Sequence, residues 1–194
     1  MKIIVFDTEA TDLTPGQICQ LSYLMIDGGS VTGKNLFFTV DDMSEGAYEV
    51  HGLSMDELET LSGGERFEDR AAEIFADFSA CDLLIGHNVS ADDRYIRVEF
   101  ERCGLRLGKK KTFCTMNYFT SVMNMKRKIN IGRPKPPKLE ELAEYYALDP
   151  GLISEKSAEW FGGGGAAHDS RYDTAMTWLC VLAATEKGDL RGIV

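Results

Sequence analysis

No run of about 18 apolar residues occurs anywhere in this chain, so nothing in it reads as a membrane-spanning helix. Its first residues, MKIIVFDTEA, lack the basic-then-apolar plan of a secretory signal. Cysteine is sparse and unpaired in pattern: Cys19, Cys81, Cys103, Cys114 and Cys180 are an odd number, and no two stand in CxxC spacing. That argues against a disulfide framework and a structural zinc site, and for reduced thiols in a cytoplasmic protein. Positive charge is also short, with 21 Lys and Arg against 31 Asp and Glu and a net charge of −10. Phosphate binding depends on Lys and Arg, so the deficit argues at first against a nucleic-acid partner.

The deficit is not uniform. From Arg97 to Lys138 there are 12 Lys or Arg and only two acids, Glu99 and Glu101, a local balance of +10. The remainder carries nine bases against 29 acids. A basic segment inside an acidic protein is either a solvated face or a phosphate-facing surface. What else is present is ordinary: 194 residues, 44% hydrophobic and 27% charged, suit one soluble globular domain with a substantial core, spanning 1–194.

Lys2 to Phe6 has the β-branched, apolar content of a buried strand. Gln17 to Ile26 and Val31 to Val40 read as two more, joined through the turn residues Asp27-Gly28-Gly29-Ser30 into an antiparallel hairpin. Asp41 to Gly64 reads as irregular apart from a short helix capped by Ser54, with Glu57 three residues on. Phe67 to Phe78 has helical spacing, and Leu83 to Ile85 is a short buried strand ended by Gly86. Strand, helix, strand implies a crossover, so the sheet is mixed and the class α/β. Ser90 is placed to cap a helix reaching about Cys103. Gly104 to Lys111 then reads as a basic connector, Thr115 to Met125 as a helix, and Lys126 to Pro137 as a basic, proline-rich loop. Lys138 to Tyr146 is helical again, with Pro150 and Gly151 ending it. Asp169 to about Thr185 forms a last helix. Before it, the Gly162 to Gly165 run supplies a loop free to close over bound ligand.

Three places along this order carry chemistry. Asp7 and Glu9 are two residues apart at a strand end, and alternation aims both carboxylates to one side. Two such anions share a proton or hold a hard cation such as Mg²⁺ or Mn²⁺, unless they are only solvated in a polar turn. Asp92 and Asp93 fall in the first turn of a helix, where acids also complement the macrodipole with no further purpose. His168 and Asp173 are five residues apart, about 500° of helical rotation, so Asp173 belongs on the helix and His168 on the loop before it.

Asp7-Thr8-Glu9, His87-Asn88 followed by Asp92, and His168 followed by Asp173 resemble, in order and spacing, the three motifs of the DEDDh class of 3′-5′ exonucleases. This DnaQ-like group of the RNase H-like superfamily includes RNase T and the proofreading subunit of bacterial replicative DNA polymerase. The resemblance spans Lys2 to about Thr185, and Val50-His51-Gly52-Leu53 looks like a segment many proofreading members carry. It departs after Glu9, where Ala10-Thr11-Asp12 replaces the Thr-Gly of many relatives. The resemblance also implies the register, five residues from His87 to Asp92 and from His168 to Asp173, which leaves Asp12, Asp93 and Asp169 as bystanders, local caps or solvated acids.

The resemblance implies an RNase H-like mixed β-sheet flanked by α-helices. It also implies a metal-dependent exonuclease that releases nucleoside 5′-monophosphates from the 3′ end of a single-stranded nucleic acid, DNA favoured. Asp7, Glu9, Asp92 and Asp173 would hold two Mg²⁺ or Mn²⁺ ions, and His168 would take a proton from the attacking water. Thr8, His51, Leu53, His87 and Asn88 would meet the substrate. The basic segment, with Phe113, Tyr118 and Phe119 interleaved, would track phosphates, although those aromatics fit a core better than a stacking platform. Competing expectations are a non-catalytic or polymerase-docked binding subunit and an RNA-trimming enzyme of the same family. With little sequence after the last helix to serve as a tether to a DNA polymerase subunit, a stand-alone nuclease or one docking through its folded surface is expected.

Overall fold

The computed structural model describes residues 1–127, 132–163 and 168–193. Strands β1 (Ile3–Ala10), β2 (Ile18–Asp27) and β3 (Ser30–Phe37) are followed by helices α1 (Glu45–His51), α2 (Met55–Ser62) and α3 (Phe67–Ala80). Next come β4 (Leu83–Gly86), α4 (Val89–Arg102), β5 (Lys111–Cys114) and α5 (Thr115–Met123). Helices α6 (Leu139–Tyr145), α7 (Pro150–Phe161) and α8 (Ser170–Lys187) complete the order. One five-stranded sheet runs β3-β2-β1-β4-β5. β1, β4 and β5 are parallel, and β2 and β3 run antiparallel as a hairpin, so this is the mixed sheet of an RNase H-like α/β fold. Gly28 and Gly29, both at positive φ, make the hairpin turn, a backbone that few side chains tolerate.

Alternation along β1 divides the core in two. Ile3 and Val5, with Leu24, Ile26 and Ile85, pack beneath α8, α6 and α7 through Ala175, Leu179, Leu142 and Ile153. Ile4 and Phe6, with Leu21, Tyr23 and Leu84, face α3 and α4 through Ile74, Phe78, Ile96 and Phe100. Gly33 admits the end of α7: a Cβ there would overlap the Trp160 carbonyl. No helix among the described residues is long and apolar enough to cross a membrane.

The structure corrects four local expectations. Pro150 and Gly151 do not merely end a helix; Pro150 starts α7, with the Asp149 side chain capping Leu152 N–H at 3.1 Å. The stretch expected to be irregular holds α1, capped by Ser44. Lys111, placed in a connector, opens β5, which pairs along β4. Finally, α4 begins at Val89 behind Asn88, so Ser90 lies inside its first turn and is not its cap. The Lys126 to Pro137 loop is described in part, and the second half of the Gly162 to Gly165 run lies outside the described residues.

Candidate functional site

The division of the core continues past Phe6 into the polar end of β1. Asp7 and Glu9 follow Ile3 and Val5 and point to the α8 side; Thr8 follows Ile4 and Phe6 and points to the α4 side. A β-bulge interrupts the ladder at Glu9, where Glu9 pairs with Gln20 but Ala10 pairs with Ile18, a device that re-aims a strand end. Asp173, in the first turn of α8, reaches the same place from above. One carboxylate oxygen from each of Asp7, Glu9 and Asp173 lies within 4.8 Å of the others.

Asp92 stands outside that trio. It is buried on α4, on the opposite side, and accepts from Thr8 N–H at 3.2 Å and Thr8 Oγ1 at 2.7 Å. Burial pushes the Asp7 carboxyl well up, with Asp92, Glu9 and Asp173 adding to the effect. Burial and then Asp173 push Glu9 to about 9, and burial with Glu140 pushes Asp173 to about 7. Asp92 is raised less, to about 6, because burial is opposed by its two bonds from Thr8. Among the described residues, no Lys or Arg forms an ion pair with any of the four. Clustered, half-buried carboxylates without a basic partner fit a hard divalent cation such as Mg²⁺ or Mn²⁺.

His168 is exposed at the foot of α8, in the left-handed backbone region at φ 65°, and its amide N–H bonds to Asp173. The three acids read as bystanders have local partners. Asp12 accepts from Leu13 N–H, Asp93 pairs with Arg97 at 2.8 Å, and Asp169 caps α8 and pairs with Arg171.

The expected substrate residues scatter. His51 lines a cleft of 360 Å³ with Glu9, Ala10, Leu13, Val50 and Tyr95, directly beside the carboxylates. Its Nδ1 accepts from Leu53 N–H at 3.1 Å, and burial holds its pKa down. Leu53 does not line that cleft; it packs on Cys19, Val40 and Leu58. Asn88 serves the backbone, at φ 72° ahead of α4. His87 is tied at both ends, Nε2 donating to the Pro137 carbonyl at 3.0 Å and Nδ1 2.9 Å from Thr115 Oγ1. Glu140, near the start of α6, is a neighbour of Asp173 that no motif pointed to.

Much of the basic segment has structural partners. Arg97 donates to the Leu107 carbonyl, Arg102 to the Pro15 and Gly16 carbonyls, Lys110 to the Ser79 and Cys81 carbonyls, and Lys135 pairs with Glu141. Phe119 is buried and Phe113 packs against the same core, whereas Tyr118 is exposed, its ring lying against Phe113 and Phe119 and its hydroxyl donating to the Asp189 carbonyl at 2.8 Å, so two of the three aromatics are core.

The sequence model of a family described as exonuclease, RNase T type, matches residues 4–151. Among solved structures, exonuclease I, reported for how it achieves processivity, superposes with a TM-score of 0.73 at 18% identity, over 95% of this chain and 41% of that one. The zinc-bound complex of E. coli exonuclease I with single-stranded DNA gives 0.72 at 18% identity, over 97% and 41%. The same enzyme with a dT13 oligonucleotide gives 0.70 at 18%, over 97% and 42%. At such identity the likeness is one of fold, and the chain spans about two fifths of those structures. No curated protein sequence matches the chain at a significant level.

Proposed function

Because this chain belongs to the exonuclease family, in the DnaQ-like group of the RNase H-like superfamily, we propose that it removes nucleoside 5′-monophosphates from the 3′ end of single-stranded DNA. The observation that carries the proposal is the convergence of Asp7, Glu9 and Asp173, which among the described residues form no ion pair with Lys or Arg. These three residues hold divalent metal, two Mg²⁺ or Mn²⁺ ions, and Asp92 completes the set from across β1. Bound metal supplies the positive charge that stabilises the attacking and leaving oxygens of an in-line displacement.

The rest of the work falls to the chain. Thr8 holds Asp92 in place through two hydrogen bonds. His168, exposed beside Asp173, takes the proton of the attacking water as general base, a role an imidazole nitrogen can fill. The cleft of Ala10, Leu13, Val50, His51 and Tyr95 receives the terminal base, whose flat apolar face matches that lining. DNA is favoured as the polymer because the structurally similar exonuclease I is described bound to dT13 and dA16 oligonucleotides.

The test is digestion of 5′-labelled single-stranded DNA and of the RNA of the same sequence, with Mg²⁺, Mn²⁺ or EDTA. A ladder shortening from the 3′ end, abolished by EDTA, by Asp7→Ala and by His168→Ala, supports the proposal and ranks the two sugars. A folded, metal-loaded protein that degrades neither polymer would favour the binding-subunit reading instead.

A further inference from the structure

Along most of its length α8 meets the sheet through apolar side chains, with Ala175, Met176, Leu179 and Cys180 over Ile3, Val5, Leu24 and Ile26. Such packing holds a helix down but tolerates exchange between similar apolar groups, so it specifies axial position weakly. The first two turns are built differently. Ser170 and Thr174 are fully buried there, and the β2 residues facing them, Gln20 and Ser22, are buried and polar. Ser22 Oγ is 2.7 Å from Ser170 Oγ, and Thr174 Oγ1 donates to the Ser22 carbonyl at 3.2 Å.

Gln20 spans this seam. Its Oε1 accepts from Ser170 N–H at 3.4 Å, and its Nε2 donates to Asp169 Oδ1 at 3.0 Å and to Asn35 Oδ1 at 2.9 Å. Asn35 in turn accepts from Ser22 Oγ at 2.8 Å, and Arg171 braces Asp169 from outside. Buried hydrogen bonds have one acceptable geometry, so sliding α8 by about an ångström leaves several of these groups unpaired. Gln20 is also the register partner of Glu9, and Asp173 lies one turn along α8 from Asp169.

We infer that Gln20, acting through Asp169 and Ser170, is a positioning residue that sets how far Asp173 stands from Asp7 and Glu9. It touches neither metal nor substrate. The inference rests on the metal-dependent nuclease reading, but its first readout does not need activity.

The experiment compares the whole wild-type protein with Gln20→Met, which keeps length and loses every hydrogen bond. Mn²⁺ binding is read by calorimetry, and turnover on single-stranded DNA alongside thermal unfolding. Expected are Mn²⁺ affinity and kcat each lower by about 10-fold, the scale of lost outer-shell support, with KM within about 2-fold. Gln20→Glu, which sets a carboxylate against the acceptor oxygens of both Asp169 and Asn35, loses at least as much. A lower Tm with unchanged Mn²⁺ affinity and kcat overturns the inference. If Gln20→Met does not fold, Ser22→Ala decides: about 3-fold weaker Mn²⁺ binding supports the inference, and unchanged binding overturns it. A wild type that binds Mn²⁺ but degrades nothing defeats the nuclease reading alone, and the Mn²⁺ comparison still decides the role of Gln20.

Discussion

Glu9→Gln should make the metal-free protein more stable. In the folded chain, burial first and then Asp173 and Asp92 raise the Glu9 carboxyl from 4.5 to about 9. A group whose folded pKa is raised contributes stability in full below its unfolded pKa and loses it as pH climbs towards the folded value. From pH 4.5 to pH 7 the loss accrues at about 1.4 kcal/mol per pH unit, or about 3 kcal/mol at pH 7. Glutamine has the shape of the protonated acid and nothing to lose. For a chain of this size, that gain raises Tm by about 6–12 °C. The assay is thermal and urea unfolding of both proteins in EDTA from pH 4 to pH 9. The two should coincide near pH 4 and diverge as pH rises, the variant above. Millimolar Mg²⁺ or Mn²⁺ should shrink or reverse the gap, since metal binding stabilises only the folded state and favours the intact carboxylate set. A variant no more stable than wild type at pH 8 in EDTA, or a gap that ignores pH, refutes the reasoning.

Gly33→Ala should be among the most damaging single changes, costing several kcal/mol in urea unfolding, because the new Cβ meets the backbone carbonyl of Trp160 and neither β3 nor α7 can yield cheaply. His87→Phe should cost about 1–3 kcal/mol by leaving the Pro137 carbonyl unpaired, while kcat and KM of the folded enzyme stay within about 2-fold. A large rise in KM would put His87 on the substrate after all. Thr8→Val removes a 2.7 Å bond to a buried carboxylate; Mn²⁺ affinity measured by calorimetry should fall about 10-fold, with stability lower by about 1–2 kcal/mol.

How much of this was legible in the sequence depended on how local the cause was. The hairpin at Gly28 and Gly29 was readable because positive φ is a demand each residue meets alone. Helix α7 was not, because a proline ends one helix or begins the next, and the Asp149 side chain behind it decides which. Helix α1 buries no residue and so leaves no apolar period to detect. Strand β5 is four residues that exist as a strand only because β4 lies beside them.

The site divides along the same line. That Asp7 and Glu9 point together follows from the two-residue period of a strand, but which helix covers which face follows only from the sheet order. Motif spacing could name Asp92 and Asp173 and could not say that they approach from opposite sides. Nor could it show Gln20, which carries no chemistry and lies 149 residues from Asp169, its partner across the seam. The alternation that pairs Asp7 with Glu9 also turns Thr8 to the far face, and there it supplies the hydroxyl and amide that hold Asp92. One period thus arranges both halves of the carboxylate set, and shifting β1 by a single residue would dismantle both at once.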